Sequence, residues 1–276
     1  YWALPPGTRV RMLRALCQLL RTPSTYMFAS THFAVCTTTY IGIFFQPMFY
    51  SDIFPSWAPW QISAVVTGPM LFSSAYGVWF AAWTDKARGH RARTLLRARV
   101  TVISPVIGSA FNILAGCGLL YEGLHMEHST RARHVAISAI ALACMTVGGF
   151  AQSGLGGPFW ALHHELQPTE LRGVSIALVN SIGNLGGFVG PYVLAAFKTS
   201  LGPPCPPHHS PPPPNGTSAE LHASAALSKH HDCVSSFAWG FLCVSVGALC
   251  IFLGVTCRLS GAARRLLDAQ ARPAVE

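Results

Sequence analysis

The stretch Val174–Phe197 decides the class of fold, and it reads Val-Ser-Ile-Ala-Leu-Val-Asn-Ser-Ile-Gly-Asn-Leu-Gly-Gly-Phe-Val-Gly-Pro-Tyr-Val-Leu-Ala-Ala-Phe. It contains no Asp, Glu, Lys or Arg. About 20 helical residues cross the hydrocarbon core of a bilayer. Since every backbone amide inside lipid needs an internal hydrogen-bond partner, a run of this kind is predicted to be a membrane-spanning helix.

Five more stretches of similar length also lack internal charges. They are Tyr26–Met48, Gln61–Trp83, Val100–Tyr121, His134–Ser153 and Ser236–Cys257. Over the whole chain only 11% of residues are charged, against about 25% in soluble domains. The sequence therefore predicts an all-α integral membrane protein, a bundle of six transmembrane helices whose solvent is the lipid bilayer.

The basic residues indicate how the helices are oriented. If the N-terminus is cytoplasmic, 15 of the 19 Lys and Arg residues fall on the cytoplasmic side. The positive-inside rule then predicts that both ends of the chain are cytoplasmic. Because the net charge of +9 lies in juxtamembrane loops rather than on one face, no nucleic-acid partner is predicted.

The ends and loops complete the predicted organisation. The chain starts at Tyr1 without a short apolar segment and cleavage site, so we expect a fragment of a longer protein rather than a signal peptide. Arg11, Arg14 and Arg21 are predicted to lie on a short interfacial helix. The predicted segments are a cytoplasmic linker at 1–25, five spans at 26–198, an external loop at 199–235, the last span at 236–257 and a cytoplasmic tail at 258–276.

The loop 199–235 is rich in proline and is predicted to be extended or disordered. Asn215 begins an Asn-Gly-Thr glycosylation acceptor, which is usable only outside the cell and favours the plasma membrane. Cys205 and Cys233 either form a disulfide or stay free. Four histidines of the loop either bind a metal or belong to a solvated polar tract: His208, His209, His230 and His231. We favour the solvated tract and expect no metal and no cofactor.

Polar residues inside the spans are the candidate site. At helical spacing, Asn180 and Asn184 share one side of the fifth span with glycines that form GxxxG pairs. Leu178, Ile182, Leu185 and Val189 make up the other side, which is predicted to face lipid. The two carboxamides either bind a substrate or hold helices together.

Two other spans contribute candidates. The fourth ends in Gln152 and a run of glycines with Pro158, followed by Trp160, and interrupted helices are typical of transporter sites. Trp160 either lines a site or belongs to an interfacial belt. In the first span His32 and Thr39 share an arc with Tyr40 at its edge, and a histidine within a membrane helix indicates a functional site or a satisfied hydrogen bond.

These residues resemble a known family. Residues 176–192, Ile-Ala-Leu-Val-Asn-Ser-Ile-Gly-Asn-Leu-Gly-Gly-Phe-Val-Gly-Pro-Tyr, closely resemble the eleventh helix of the anion:cation symporter family of the major facilitator superfamily. The subgroup it resembles carries phthalate-, tartrate-, nicotinate- or allantoate-like anions. Residues 159–162, Phe-Trp-Ala-Leu, resemble the end of the tenth helix, and residues 83–91 resemble the loop between the eighth and ninth.

The resemblance implies the C-terminal half of a twelve-helix fold with alternating access. It implies transport of a small organic anion by symport with a coupling cation, a proton or sodium. Substrate contacts would come from Tyr40, Trp160, Asn180 and Asn184, and a conformational latch from Asp85, Lys86, Arg88 and Arg91. The substrate-binding Arg and the coupling carboxylates would lie in the missing N-terminal six-helix bundle, which is therefore an expected partner.

The chain departs from the family in places, and other functions stay open. His163, His164 and Glu165 follow the tenth-helix motif where the family has Pro and small residues, and Ala81 replaces a usual Gly. One alternative is a half-transporter or a non-transporting interaction protein. A remote one is an intramembrane serine hydrolase using Ser153, although the nearby histidines fall in a predicted cytoplasmic loop. We expect no catalytic residues.

Overall fold

The computed structural model describes residues 8–54, 57–125, 131–201 and 219–271. Within these ranges there are eight α-helices, one 3₁₀ helix and no strand. The α-helices are α1 (Thr8–Leu20), α2 (Pro23–Ile53), α3 (Pro59–Asp85), α4 (His90–Leu124), α5 (Arg131–Ser153), α6 (Gly156–Leu166), α7 (Arg172–Leu201) and α8 (Ala219–Ala271), and the 3₁₀ helix is Thr169–Leu171.

Six of the helical stretches are long and apolar enough to cross a membrane. They are Pro23–Ser51, Pro59–Asp85, His90–Leu124, Val135–Leu166, Thr169–Phe197 and Ser235–Val255. Each contains most or all of one predicted span, so the prediction of an all-helical, multi-pass membrane protein is confirmed. The fourth span is made by two helices, α5 and α6, which meet at a break.

The predicted loop 199–235 is wrong in its boundaries. The last helix is 53 residues long and begins at Ala219, and α7 runs on to Leu201. Residues 219–228 are mostly Ala, Leu, Ser and His without proline, and alanine and leucine are strong helix formers, so the helix starts well before the last span. Asn215 and Cys205 lie outside the described residues, as do the side chains of Cys233, His230 and His231.

The helices pack in two principal pairs, α2 with α7 and α4 with α8. Glycines allow α2 and α7 to approach each other closely, as the GxxxG spacing predicts. A Cβ atom at Gly190 would lie 2.5 Å from the Thr37 carbonyl oxygen, and one at Gly183 would overlap the His32 ring. The second pair uses Gly116, where a Cβ would lie 3.4 Å from Leu242.

The side of α7 that is buried against other helices contains fewer residues than the sequence predicts. Gly183, Gly186 and Gly190 are buried against α2, whereas Asn180 and Asn184 are exposed. The glycines at 183, 186 and 190 repeat every three to four residues, so they form a strip that excludes the neighbouring asparagines. Of the four residues predicted to face lipid, Leu185 and Val189 are exposed. Leu178 and Ile182 are half-buried, and Ile182 packs against a core cluster.

Candidate functional site

A break between α5 and α6 shapes the interior of the bundle. The α5 ladder ends with hydrogen bonds from Gly154 N to Phe150 O (3.2 Å) and from Leu155 N to Gln152 O (3.1 Å). Glycines are poor helix formers, and Pro158 has no N–H but is tolerated in the first turn of a new helix. The helix therefore ends and restarts at Gly156, as the interrupted pattern predicts.

Helix α3 packs directly against this break. A Cβ at Gly77 would lie 2.8 Å from the Ser153 carbonyl oxygen, and one at Gly154 would lie 3.1 Å from the Phe80 ring. A Cβ at Gly157 would overlap Ala81, the position where the resembled family has Gly. Small residues on both sides thus hold α3 against the point where α5 gives way to α6.

A cavity of about 460 Å³ lies beside the break, among α2, α3, α5 and α6. Its polar lining includes His32, Thr38, Thr39, Gln46, Asn112 and Gln152, and Ser73, Ser74, Thr146 and Ser153 add hydroxyl groups. Apolar walls come from Val65, Met70, Leu142, Met145, Phe159 and Phe241, with Trp160 at one edge. The described lining contains no Asp, Glu, Lys or Arg.

The structure brings together part of the predicted substrate site. His32, Thr39, Gln152 and Trp160 all line the cavity. Tyr40 instead packs against α7, where a Cβ at Gly187 would lie 3.0 Å from its ring. Asn180 reaches the site indirectly, because its Oδ1 lies 3.3 Å from His32 Nε2, and Asn184 does not line the cavity.

His32 stands at the boundary between the cavity and helix α6. Its ring makes an edge contact with Trp160, with centroids 5.3 Å apart, and its Nε2 lies 3.8 Å from the sulfur of Cys36. Because the Asn180 amide oxygen accepts, the contact makes His32 Nε2 the donor of this hydrogen bond. No carboxylate belongs to the described lining, so no proton relay partner is beside it.

Two carboxamides in the cavity wall have unused hydrogen-bonding capacity. Thr38 Oγ1 lies 3.3 Å from Gln152 Oε1 and 3.0 Å from the Val35 carbonyl oxygen, so its single proton is shared between these acceptors. Gln152 Nε2 has no partner among the described residues. Asn112 is only 7% exposed, lines the cavity and makes no side-chain hydrogen bond to any described residue. Sequence reasoning missed Asn112, although it is the one Asn or Gln within an otherwise apolar span, Val100–Tyr121.

The charged groups lie at the end of the bundle that holds the α3–α4 connection. Arg97 of α4 donates to Asp85 at 2.6 Å and to Glu165 of α6. Thr94 Oγ1 also donates to Glu165, at 2.8 Å. We call Asp85, Thr94, Arg97 and Glu165 the charged cluster; it joins α3, α4 and α6.

The residues of the predicted latch form two ion pairs in the described chain. Asp85 pairs with Arg97, which lies two helical turns into α4. Arg91 pairs with Asp268 of α8 at 3.3 Å. Lys86 and Arg88 are exposed and make no ion pair with a described residue.

The residues of the hydrolase alternative are not together. Ser153 Oγ donates to the Gly149 carbonyl at 2.8 Å, whereas His163 Nε2 lies 2.9 Å from Ser175 Oγ. His163 and Ser175 are fully buried, and neither lines the cavity. No group of three or more His, Cys, Asp or Glu with metal-ligand geometry occurs within the described ranges.

Comparisons of the chain with protein-family models, with curated proteins and with solved structures found no match. The family resemblance stays a prediction from the quoted motifs, and the site is interpreted from its own geometry.

Proposed function

We propose that the chain is the C-terminal six-helix bundle of a major facilitator transporter of the anion:cation symporter family, which carries a small organic anion by symport with alternating access. The observation that carries this proposal is the cavity of about 460 Å³, which combines neutral hydrogen-bonding groups with apolar walls inside a membrane bundle. Small-molecule sites have volumes of about 300–1,000 Å³ and the same mixture of lining groups.

The exposed side of α7 supports a partner bundle. Asn180 and Asn184 lie in the middle of a membrane span, yet both are exposed in this chain. Polar groups in contact with hydrocarbon cost free energy unless they are hydrogen-bonded. A second bundle, or a water-filled passage between two bundles, would cover them, and the N-terminal six helices implied by the resemblance are that partner.

The division of charge between the halves fits the same proposal. The described cavity lining has no side-chain cation to bind an anion and no carboxylate to couple a proton or sodium ion. Both roles would fall to the N-terminal bundle. The charge bias of the loops favours cytoplasmic ends, and the sequon at Asn215 favours the plasma membrane.

The charged cluster supports a state-dependent latch. Asp85, Arg97 and Glu165 join three helices at one end of the bundle. An alternating-access cycle that moves α6 relative to α3 and α4 would have to break these pairs. The cluster would therefore stabilise one of the two access states.

The transport proposal is tested by an uptake assay. The protein encoded by the complete natural transcript is reconstituted in proteoliposomes. Radiolabelled benzoate is supplied with an imposed proton or sodium gradient. We expect gradient-dependent uptake, and Trp160→Leu should lower kcat/KM about two- to tenfold because an aromatic wall contributes about 0.5–1.5 kcal/mol. Trp79→Leu, at an exposed aromatic of α3 outside the cavity, should change kcat/KM less than twofold.

Equal losses in the two Trp variants, or no uptake under either gradient, would contradict the proposal. A transcript without an upstream six-helix segment would favour the alternative of a half-transporter or an interaction protein. In that case the exposed side of α7 would bind a separate polypeptide.

A further inference from the structure

We propose that a groove between α2, α7 and α8 binds an anionic phospholipid of the bilayer, with the lipid phosphate on Arg21 and Arg258 and an acyl chain along the groove. The groove has a volume of about 950 Å³ and lies at the end of the bundle where the first span begins and the last span ends. This inference goes beyond the proposed transport function, because it depends only on the location of the chain in a membrane.

The two charged side chains of the groove stand just outside membrane spans. Arg21 precedes the span Pro23–Ser51, and Arg258 follows the span Ser235–Val255. Both arginines are exposed, and neither makes an ion pair with a described carboxylate. A long basic side chain near the end of a membrane helix reaches the headgroup level, and a guanidinium group binds phosphate through parallel hydrogen bonds. The pair is therefore placed to bind a lipid phosphate.

The turn between α1 and α2 fixes the position of Arg21. Tyr26 Oη donates to the Leu20 carbonyl oxygen at 2.5 Å, and Thr22 Oγ1 donates to the Gln18 carbonyl oxygen at 2.8 Å. These bonds hold the chain on both sides of Arg21. Tyr26 also lines the groove, and tyrosine is enriched at the level of lipid headgroups. The mouth of the groove therefore combines a guanidinium group on a fixed turn with an interfacial aromatic ring.

Apolar side chains form the walls of the groove beyond the arginines. Phe33 comes from α2, and Ile251 and Val255 come from α8. Ile251 lies two helical turns before Arg258, so the apolar wall extends about 10 Å into the membrane at about 1.5 Å per residue. A Cβ at Gly254 would meet nothing within 4 Å, so the groove is open at this point. The walls therefore suit an acyl chain.

The groove faces away from the cavity and from the proposed partner bundle. At about 100° per residue, Ser30 of the groove lies on the opposite side of α2 from Thr39 of the cavity. On α7, Ile182 lines the groove and lies on the opposite side from Asn180 and Asn184, which the N-terminal bundle would cover. A lipid molecule is therefore the neighbour available on this side.

The charge of the groove favours an anionic lipid over a zwitterionic one. Two guanidinium groups line the groove, and its described lining contains no Asp or Glu. Basic pockets between membrane helices on the cytoplasmic side bind anionic headgroups, and the cytoplasmic leaflet is rich in anionic lipids. The groove opens to that leaflet in the orientation that the loop charges favour. A zwitterionic headgroup carries a cation of its own, which the arginines would repel.

Lipid binding by the complete chain tests the groove without requiring transport. The chain is purified in detergent, and native mass spectrometry measures its affinities for dioleoylphosphatidylglycerol and dioleoylphosphatidylcholine, which have the same acyl chains. We expect phosphatidylglycerol to bind about tenfold more tightly. Arg21→Gln combined with Arg258→Gln should weaken phosphatidylglycerol binding about 25-fold and phosphatidylcholine binding about threefold, since each basic residue near the membrane surface contributes about a fivefold factor for an anionic lipid.

Arg264→Gln combined with Arg265→Gln is the matched control. It removes two exposed arginines from the same end of α8, and neither of them lines the groove. Phosphatidylglycerol binding should weaken less than about threefold, because these charges contribute only to the general field at the membrane surface. Equal losses in the two double variants, or equal affinities of the natural chain for the two lipids, would overturn the proposal.

Gly254→Leu tests the apolar part of the groove, because its side chain would fill space that is open in the structure. We expect the binding of both lipids to weaken several-fold. Gly247→Leu is its control, since this glycine of α8 also has open space around it but does not line the groove. Circular dichroism and gel filtration check that each variant is folded. Lipid binding that is insensitive to Gly254→Leu, or displacement of phosphatidylglycerol by an excess of inorganic phosphate, would contradict an acyl chain in the groove.

Discussion

The charged cluster and the cavity are both polar regions in an apolar bundle, but they differ in how completely their groups are paired. In the charged cluster, Arg97 binds two carboxylates, and Glu165 accepts from both Arg97 and Thr94. In the cavity, Gln152 uses one end of its amide, and Asn112 makes no hydrogen bond with the described residues. The comparison indicates that the charged cluster holds helices together, whereas the cavity lining keeps polar groups that no described residue pairs.

The comparison predicts opposite effects of mutation in the two regions. Loss of a paired charge leaves its partners buried without compensation and should destabilise the protein. Loss of an unpaired buried amide removes a cost and should not destabilise it. Stability and ligand affinity should therefore respond to different residues.

Arg97→Met should have the largest effect. The Arg97 side chain is 11% exposed and holds the more buried Glu165 as well as Asp85. Its removal should lower the free energy of unfolding by about 3 kcal/mol, measured by chemical denaturation in detergent micelles. Arg91→Met breaks an ion pair whose side chains are 65% and 61% exposed, so it should cost no more than about 0.5 kcal/mol. Equal losses in the two variants would show that burial of the pair is not what matters.

Asn112→Leu should act in the opposite direction. Asn112 makes no hydrogen bond to a described residue, so replacing its amide with an apolar group of similar size should leave the free energy of unfolding unchanged or raise it by up to about 1 kcal/mol. The same change should weaken benzoate binding several-fold. The control is Ser109→Ala on the same helix, where a buried hydroxyl without a partner among the described residues does not line the cavity. It should leave benzoate affinity unchanged. A loss of stability in Asn112→Leu would mean that the amide has a structural partner.

Asp85→Asn should have the smallest effect on stability. Asp85 is 57% exposed and Glu165 remains on Arg97, so the expected loss is about 0.5 kcal/mol. If the cluster is a latch, the same variant should slow benzoate uptake by the complete transporter and leave its affinity unchanged. Asp268→Asn removes the other exposed ion pair at this end and is expected to leave the uptake rate unaffected.

Much of the fold follows from the sequence because lipid imposes a simple rule. Each long uncharged stretch had to be a helix, and all six are present. The start of α8 was missed because the prolines before Asn215 dominated the composition of its segment. Because the residues after Thr217 share that segment, their strong helix propensity is hidden in its average composition.

The site was less predictable, because helical spacing gives a direction for a side chain but not its neighbours. The break after Gln152 and the side of α2 that bears His32 and Thr39 were visible as patterns. The sequence predicts Asn180 on the same buried side of α7 as the glycines. A helical wheel of α7 alone cannot show that α2 covers only part of that side. The sequence does not indicate Arg97 as the partner of Asp85, because the two residues become neighbours only when α4 folds back beside α3.

The close approach of α3 to the break between α5 and α6 has a consequence for how such a protein changes over generations. A Cβ at Gly77 would lie 2.8 Å from the Ser153 carbonyl oxygen, and one at Gly157 would overlap Ala81. A Cβ at Gly156, by contrast, would meet nothing within 4 Å. Gly77 and Gly157 would therefore resist replacement over many generations, whereas Gly156 would be free to become alanine.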